Sequence, residues 1–305
     1  MISDSKVTEI FCIADDFCKE YEKEISQKSL KSPDGNQHRN RKCRMSDSEI
    51  ITILVCFHTN TFRNFKHYYL FYISTHLSSC FPALLSYNRF VETESRVAVP
   101  LALFLQLACF GECTGISFVD STCIPVCHNK RISGNKVFKG YAERGKSTMG
   151  WYYGFKLHLI CNEKGELLNF MLTRANVDDR NPEVFNRLSN DVFGKLYADK
   201  GYISKDLFAK LFNDDIQLVT GLRSNMKNKL IPLYDKIMLR KRRIIETIND
   251  LLKNVGQLVH SRHRAIFNFC INILSALVAY CFFPKHPEVN MEFEIVEENC
   301  LLAIV

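Results

Sequence analysis

A chain of 305 residues with 47% hydrophobic content can bury a sizeable core, which suits one larger domain and one smaller. Thirteen cysteines is an odd number, and no signal-peptide pattern precedes them, so reduced cytosolic thiols are expected rather than a disulfide scaffold. The formal charge of +7 is modest but unevenly spread, a distribution that supports a nucleic-acid partner.

The first hundred residues read as mostly helical. Ile10, Phe11, Ala14, Phe17, Cys18 and Tyr21 recur at helix spacing, and Ser46 with Glu49 forms a capping box ahead of Ile50, Ile51, Ile53, Leu54 and Phe57. Between these, Ser32 to Gly35 reads as a linker followed by the basic run 39–44, either solvated or in contact with DNA. A further helix is expected from about Ser86 through Phe110, kinked or divided at Pro100. Tyr87, Asn88 and Arg89 at its start are candidate base or phosphate readers.

From residue 115 the pattern changes. Gly115-Ile-Ser-Phe-Val-Asp-Ser-Thr122 reads as a strand carrying Asp120. Asn129 to Met149, basic and with three glycines, reads as a flexible loop, and Trp151 follows it. That residue, the only Trp, is expected to pack in the core, with stacking on an unpaired base as the alternative. Segments 152–161 and 166–173, joined by the turn at 162–165, give a hairpin signal. Then come a helix at Pro182 to Leu188, a strand ending in Ala-Asp199-Lys-Gly, a helix at Lys205 to Phe212, a strand at 217–221 and a helix over 238–254. Asp178 and Asp179 are read as a turn or helix cap ahead of Pro182.

On the last of these helices Arg242, Glu246, Asn249 and Lys253 recur at steps of four, three and four, so they share a face opposite Ile244, Ile248, Leu251 and Leu252. Taken alone, that stripe reads first as an ordinary solvated face. The order strand, strand, strand, helix, strand, helix, strand, helix describes a ribonuclease H-like α/β core. Its mixed five-stranded sheet has flanking helices, follows a mostly helical N-terminal region, and collects the acids of the first strand, fourth strand and last helix at one end.

Phe-Val-Asp-Ser-Thr, Tyr-Gly-Phe-Lys-Leu-His, Ala-Asn-Val-Asp-Asp-Arg-Asn-Pro (175–182), Ala-Asp-Lys-Gly-Tyr and the Arg242, Glu246, Lys253 spacing together resemble the DDE transposases of bacterial insertion sequences, most closely the insertion sequence 982 family. The likeness covers about residues 45–283 and is specific as an ordered set of motifs. In the related insertion sequence 4 group a Tyr stands three residues before the Arg, where this chain has Leu239. That group often carries an insertion domain before the last helix, and the short segment between Leu222 and Lys241 has no room for one. Both departures argue against a hairpin intermediate.

The resemblance implies a helical region at 1–112 for terminal-repeat DNA, a catalytic domain at 113–284 and an acidic tail at 285–305, to which no role is assigned. It implies Asp120, Asp199 and Glu246 as both catalytic residues and metal ligands. Two Mg²⁺ or Mn²⁺ ions per site suit hard oxygen donors, and ions about 3.5 to 4 Å apart would serve attacking and leaving oxygens in turn. Lys156, His158, Lys200, Arg242, Arg243 and Lys253 are candidates for a DNA phosphate track. His158, between Leu157 and Leu159, reads equally as a buried structural residue. A stretch rich in Lys and Arg from Arg223 to Arg243, with Asp235 as its single acid, should follow a phosphate backbone. Double-stranded DNA ends, a DNA target and a homodimer are the implied partners, in a bacterial, nucleoid-associated setting. An inactive DNA-binding relic and a nuclease without joining activity are the alternatives. Four-residue cysteine spacings (109 and 113, 123 and 127) do not suit a zinc site, and the apolar stretch 271–283 is too short to span a bilayer and reads as a helix behind the sheet.

Overall fold

A central strand organises the molecule. In the computed structural model, which describes residues 2–28, 43–60, 62–224, 226, 230–259, 263–289, 293–294 and 303–304, β1 (Ile116–Cys127) is flanked on one side by β3 (Gly150–Asn162), antiparallel along nearly its whole length. On the other side β5 (Gly194–Ala198) runs parallel to it over only three residue pairs. Outside β5 lies the parallel β6 (Ile216–Thr220). The far side of β3 is paired with two strands, β2 (Glu143–Ser147) and β4 (Leu167–Arg174). The sheet therefore has six strands, the five read from the sequence and β2 in addition.

β2 is the piece the sequence reading assigned to a flexible loop. Glu-Arg-Gly-Lys-Ser has no apolar alternation, so its strand character comes from its ladder to residues 150–154 of β3. Gly145 is required there, since a Cβ would sit 2.3 Å from the Ala175 carbonyl oxygen.

Both faces of the sheet are covered, which explains why its strands read as nearly continuous apolar runs. One face carries Val119, Ile160, Leu196 and Ala198 against Phe185 and Leu207 of the helices Pro182–Leu188 and Lys205–Asn213. The first of these helices opens with Asn181 as its cap and Pro182 in the first turn, where a missing N–H costs nothing. The opposite face carries Phe118, Leu157, Leu159 and Tyr197.

Against that second face the core continues without a break into the N-terminal helices, from Val7 to Phe104, and into the helix Ile266–Cys281. That helix packs on the helix Asp47–His58, whose capping box at Ser46 and Glu49 is formed as expected. A core thus crosses the boundary expected near residue 112. The expected helix from Ser86 exists as Tyr87–Thr93 followed by a tighter turn at Glu94–Val97, and restarts as Ala98–Phe104. Pro100 falls in the first turn of the restart, so the proline divides the helix there. Tyr87 packs on Phe65 and Tyr69, and Arg89 pairs with Glu92 at 3.0 Å, so of the three candidate readers Asn88 alone is exposed without such a contact.

The helix expected over 238–254 is instead two. Leu233–Lys241 ends at Arg242, and Arg243–Asp250 starts anew before widening into a π turn at Leu251–Val255. Asp235, the lone acid of the basic stretch, is buried and anchors the first of them to β5, accepting from Lys195 Nζ at 2.7 Å and Tyr197 Oη at 2.8 Å. The linker at 32–35, Lys227, Lys229, residues 39–42 of the first basic run and the tail acids Glu292, Glu297 and Glu298 lie outside the described residues. Among the described residues no helix is long and apolar enough to cross a membrane, and the cysteines are free.

Candidate active site

The sheet opens where β5 stops. The register that sets Ile116 beside Lys195 and Phe118 beside Tyr197, continued two residues further, sets Asp120 beside Asp199. There the second strand has ended: Asp199 caps a short turn at Lys200–Tyr202, its Oδ1 accepting from the Gly201 N–H at 2.7 Å. Tyr202, fully buried, anchors the turn below. Asp120 itself lies inside a strand rather than at its end, because β3 still supports β1 on the other side.

The helix Arg243–Asp250 lies against β1 with Ile244, Ile245 and Ile248 buried. Its polar stripe reaches Asp120 in two ways. Asn249, itself buried, donates from Nδ2 to Asp120 Oδ2 at 3.1 Å. Arg242, at the joint between the two helices, donates from Nη2 to Glu246 Oε1, while its Nη1 lies 3.8 Å from Asp120 Oδ1. Arg242 is thus the cation held between two of the three acids. The Oδ1 of Asn249 is buried without a hydrogen-bond partner.

Burial pushes the Asp120 carboxyl up to about 6 from its ordinary 3.8. Arg242 and the Ser121 N–H oppose the rise, and the charges of Asp199 and Glu246 add to it. The charges of Asp199 and Glu246 thus reach Asp120, as like charges near a carboxyl disfavour its ionised form. Among the described residues no three acidic, histidine or cysteine side chains stand close enough to grip a metal.

The candidate DNA contacts divide. Lys200 and Arg243 are exposed, and Lys253 is half-buried on the same helical segment as Glu246. Lys156 is largely enclosed, donating to the Val177 carbonyl at 2.8 Å and pairing with Asp179 at 3.0 Å. His158 is not a DNA contact. It is completely buried, its Nε2 lies 2.9 Å from Thr173 Oγ1, and burial lowers it to about 4, so it is neutral. Two leucine neighbours on the opposite sheet face did not betray this, because in this sheet both faces are interior. Asp178 makes a turn with the Arg180 N–H at 2.8 Å, and the helix cap is Asn181 instead. Trp151, expected in the core, is 63% exposed. Asn249 was visible on the stripe, but nothing in the spacing announced that it reaches Asp120.

Residues 110–266 match the family described as Transposase DDE domain, a span containing all three acids. The chain belongs to that family. The DDE transposase chain also resembles a solved piggyBac transposase synaptic complex with hairpin DNA, with a TM-score of 0.48 and 13% identity over 91% of this chain and 72% of that one. No curated protein matches it.

Proposed function

We propose that this transposase cleaves the ends of a bacterial insertion element, of the insertion sequence 982 type, and joins the freed 3′-hydroxyls to target DNA. The observation that supports this reading best is the docking of the Glu246 helix on Asp120 through Asn249 and Arg242, with Asp199 directly after the strand that pairs with β1. The donor set is three carboxylates, all hard oxygen ligands, and it fits Mg²⁺ or Mn²⁺, two ions per site. Such ions, when bound, activate the attacking oxygen and neutralise charge on the leaving one.

The chain's own residues prepare that chemistry. Asn249 fixes the orientation of Asp120 through one hydrogen bond. Arg242 pairs with Glu246 and also lies 3.8 Å from Asp120, so its charge is shared between the two acids. Lys200 and Arg243 stand exposed at the rim, where a phosphate backbone would lie. In the first step water attacks a phosphodiester at the element's end and the 3′ oxygen leaves. In the second that 3′-hydroxyl attacks a target phosphodiester, displacing its 3′ oxygen. No side chain forms a covalent intermediate. Duplex element ends, held by a homodimer and read by the N-terminal helices, complete the proposal.

The test uses purified protein with Mg²⁺ or Mn²⁺, a labelled pre-cleaved end of its own element and a supercoiled target. Strand transfer by the wild type and its loss in Glu246→Gln, with end binding retained, is the expected result. End binding without joining or nicking in either protein would overturn the enzyme reading and leave a DNA-binding relic. Nicking without joining would leave a nuclease.

A further inference from the structure

A groove of about 540 Å³ lies under the β2–β3 hairpin, and the chemistry above leaves it unused. Gly201, two residues beyond Asp199, lines it, so it opens beside the acids. Its walls carry Arg144 and Lys146, two apart on β2 and both exposed, with Arg180 and Arg223 from other segments. The groove's acids are engaged: Asp179 pairs with Lys156 at 3.0 Å and Asp178 with Arg180 at 2.6 Å. Among the described residues Arg223 bonds to the Lys200 carbonyl and not to an acid, and Arg144 and Lys146 have no ion-pair partner. Positive charge is left over.

Trp151 also lines this groove, directly across the ladder from Lys146. Its backbone is fixed twice, by that ladder and by Asn129 Nδ2, which donates to its carbonyl at 2.6 Å. An indole held this way and left 63% exposed forgoes the burial that large aromatics usually gain. What it offers instead is a flat face between cations. A base inside a duplex has both faces covered by its neighbours, so such a platform finds a partner only where a strand is unpaired.

We infer that this groove holds an unpaired stretch of DNA strand leading to the acids, one base stacked on Trp151 and its phosphates on Arg144, Lys146 and Arg223. The inference rests on the proposed function for its choice of DNA, and it adds a preference for frayed or single-stranded ends.

Trp151 is the only Trp in the chain, so indole fluorescence, excited at wavelengths where tyrosine does not absorb, reports from this groove alone. The full-length protein in EDTA is titrated with a blunt duplex, the same duplex bearing a short unpaired extension, and an oligothymidine strand. Quenching by the last two but not by the blunt duplex is expected, with about tenfold weaker binding of the extended duplex by Trp151→Ala and near-normal binding by Trp151→Phe. Arg144→Ala with Lys146→Ala should lessen the salt dependence of that binding. Equal response to blunt and extended duplexes, or unchanged affinity in Trp151→Ala, overturns the inference. Because the wild-type quenching needs no variant, misfolding of one cannot hide the answer. Strand transfer with no preference for unpaired ends would sink this inference alone, whereas quenching by unpaired strands without any joining would sink the enzyme reading alone.

Discussion

Replacing Asp120 by Asn should make the protein more stable while abolishing its chemistry. Asp120 is raised from 3.8 to about 6, chiefly by burial, a difference equivalent to about 3 kcal/mol of native-state cost once the group is ionised. The sign follows from the direction. The folded carboxyl holds its proton to a higher pH than the unfolded one, so wild-type stability is greatest below the unfolded value and falls as pH rises through about 6. Asn keeps the shape, and its carbonyl can still accept from Asn249, but it carries no charge to bury. Asp120→Asn should therefore match the wild type near pH 4 and gain up to about 3 kcal/mol by pH 8, each kcal/mol raising the melting midpoint by about 2 to 4 °C in a chain of this size. Thermal melts in EDTA from pH 4 to pH 8 measure this directly. Adding Mn²⁺ should then narrow the gap, because only the wild type gains a ligand for the cation. A variant less stable than the wild type at pH 8, or a gap that does not change with pH, would refute the account of Asp120 as a carboxylate held at a cost.

Asn249→Leu removes the donor to Asp120; a hydrogen bond to a charged group is worth about 1.5 to 3 kcal/mol, so strand transfer should slow by about ten- to a hundredfold. Its melting midpoint should change little, because the partnerless Oδ1 disappears with it. His158→Ala should leave DNA affinity within about twofold of wild type in filter-binding assays yet lower stability by about 1 to 3 kcal/mol, since a buried hydrogen-bonded group is lost. Gly145→Val forces a side chain into the Ala175 carbonyl; limited proteolysis should cut the 129–149 segment faster than in the wild type, and an unchanged digestion pattern would contradict the close approach of β2.

What could be read from the chain was whatever local chemistry dictates. Asp199 stands before a glycine at a strand end, the Ser46 and Glu49 cap precedes an apolar run, and the 162–165 turn joins two β-like segments; each was legible because its cause lies within a few residues. The face shared by Arg242, Glu246 and Asn249 was legible as periodicity. Its destination was not, since that depends on how a helix packs across the sheet. β2 escaped notice because its only reason to be extended is the strand beside it. The break at Arg242 interrupts a pattern whose apolar period continues on both sides. Trp151 was misread because burial statistics describe the average indole and not this exposed one, and His158 was left open between two roles because alternation says nothing when both sheet faces are covered.

The unbroken core from Val7 to Tyr280 makes the protein a ruler. The helix Ile266–Cys281 follows the acid-bearing helix in the chain and is wedged among the N-terminal helices, so those helices cannot swing on a tether while the acids stay put. DNA gripped by the N-terminal helices would be held at a set distance from Asp120, and the position of the cut would be measured by packed side chains. A mutation that loosened this packing, far from any nucleotide, would then blur the cleavage position before it reduced the rate.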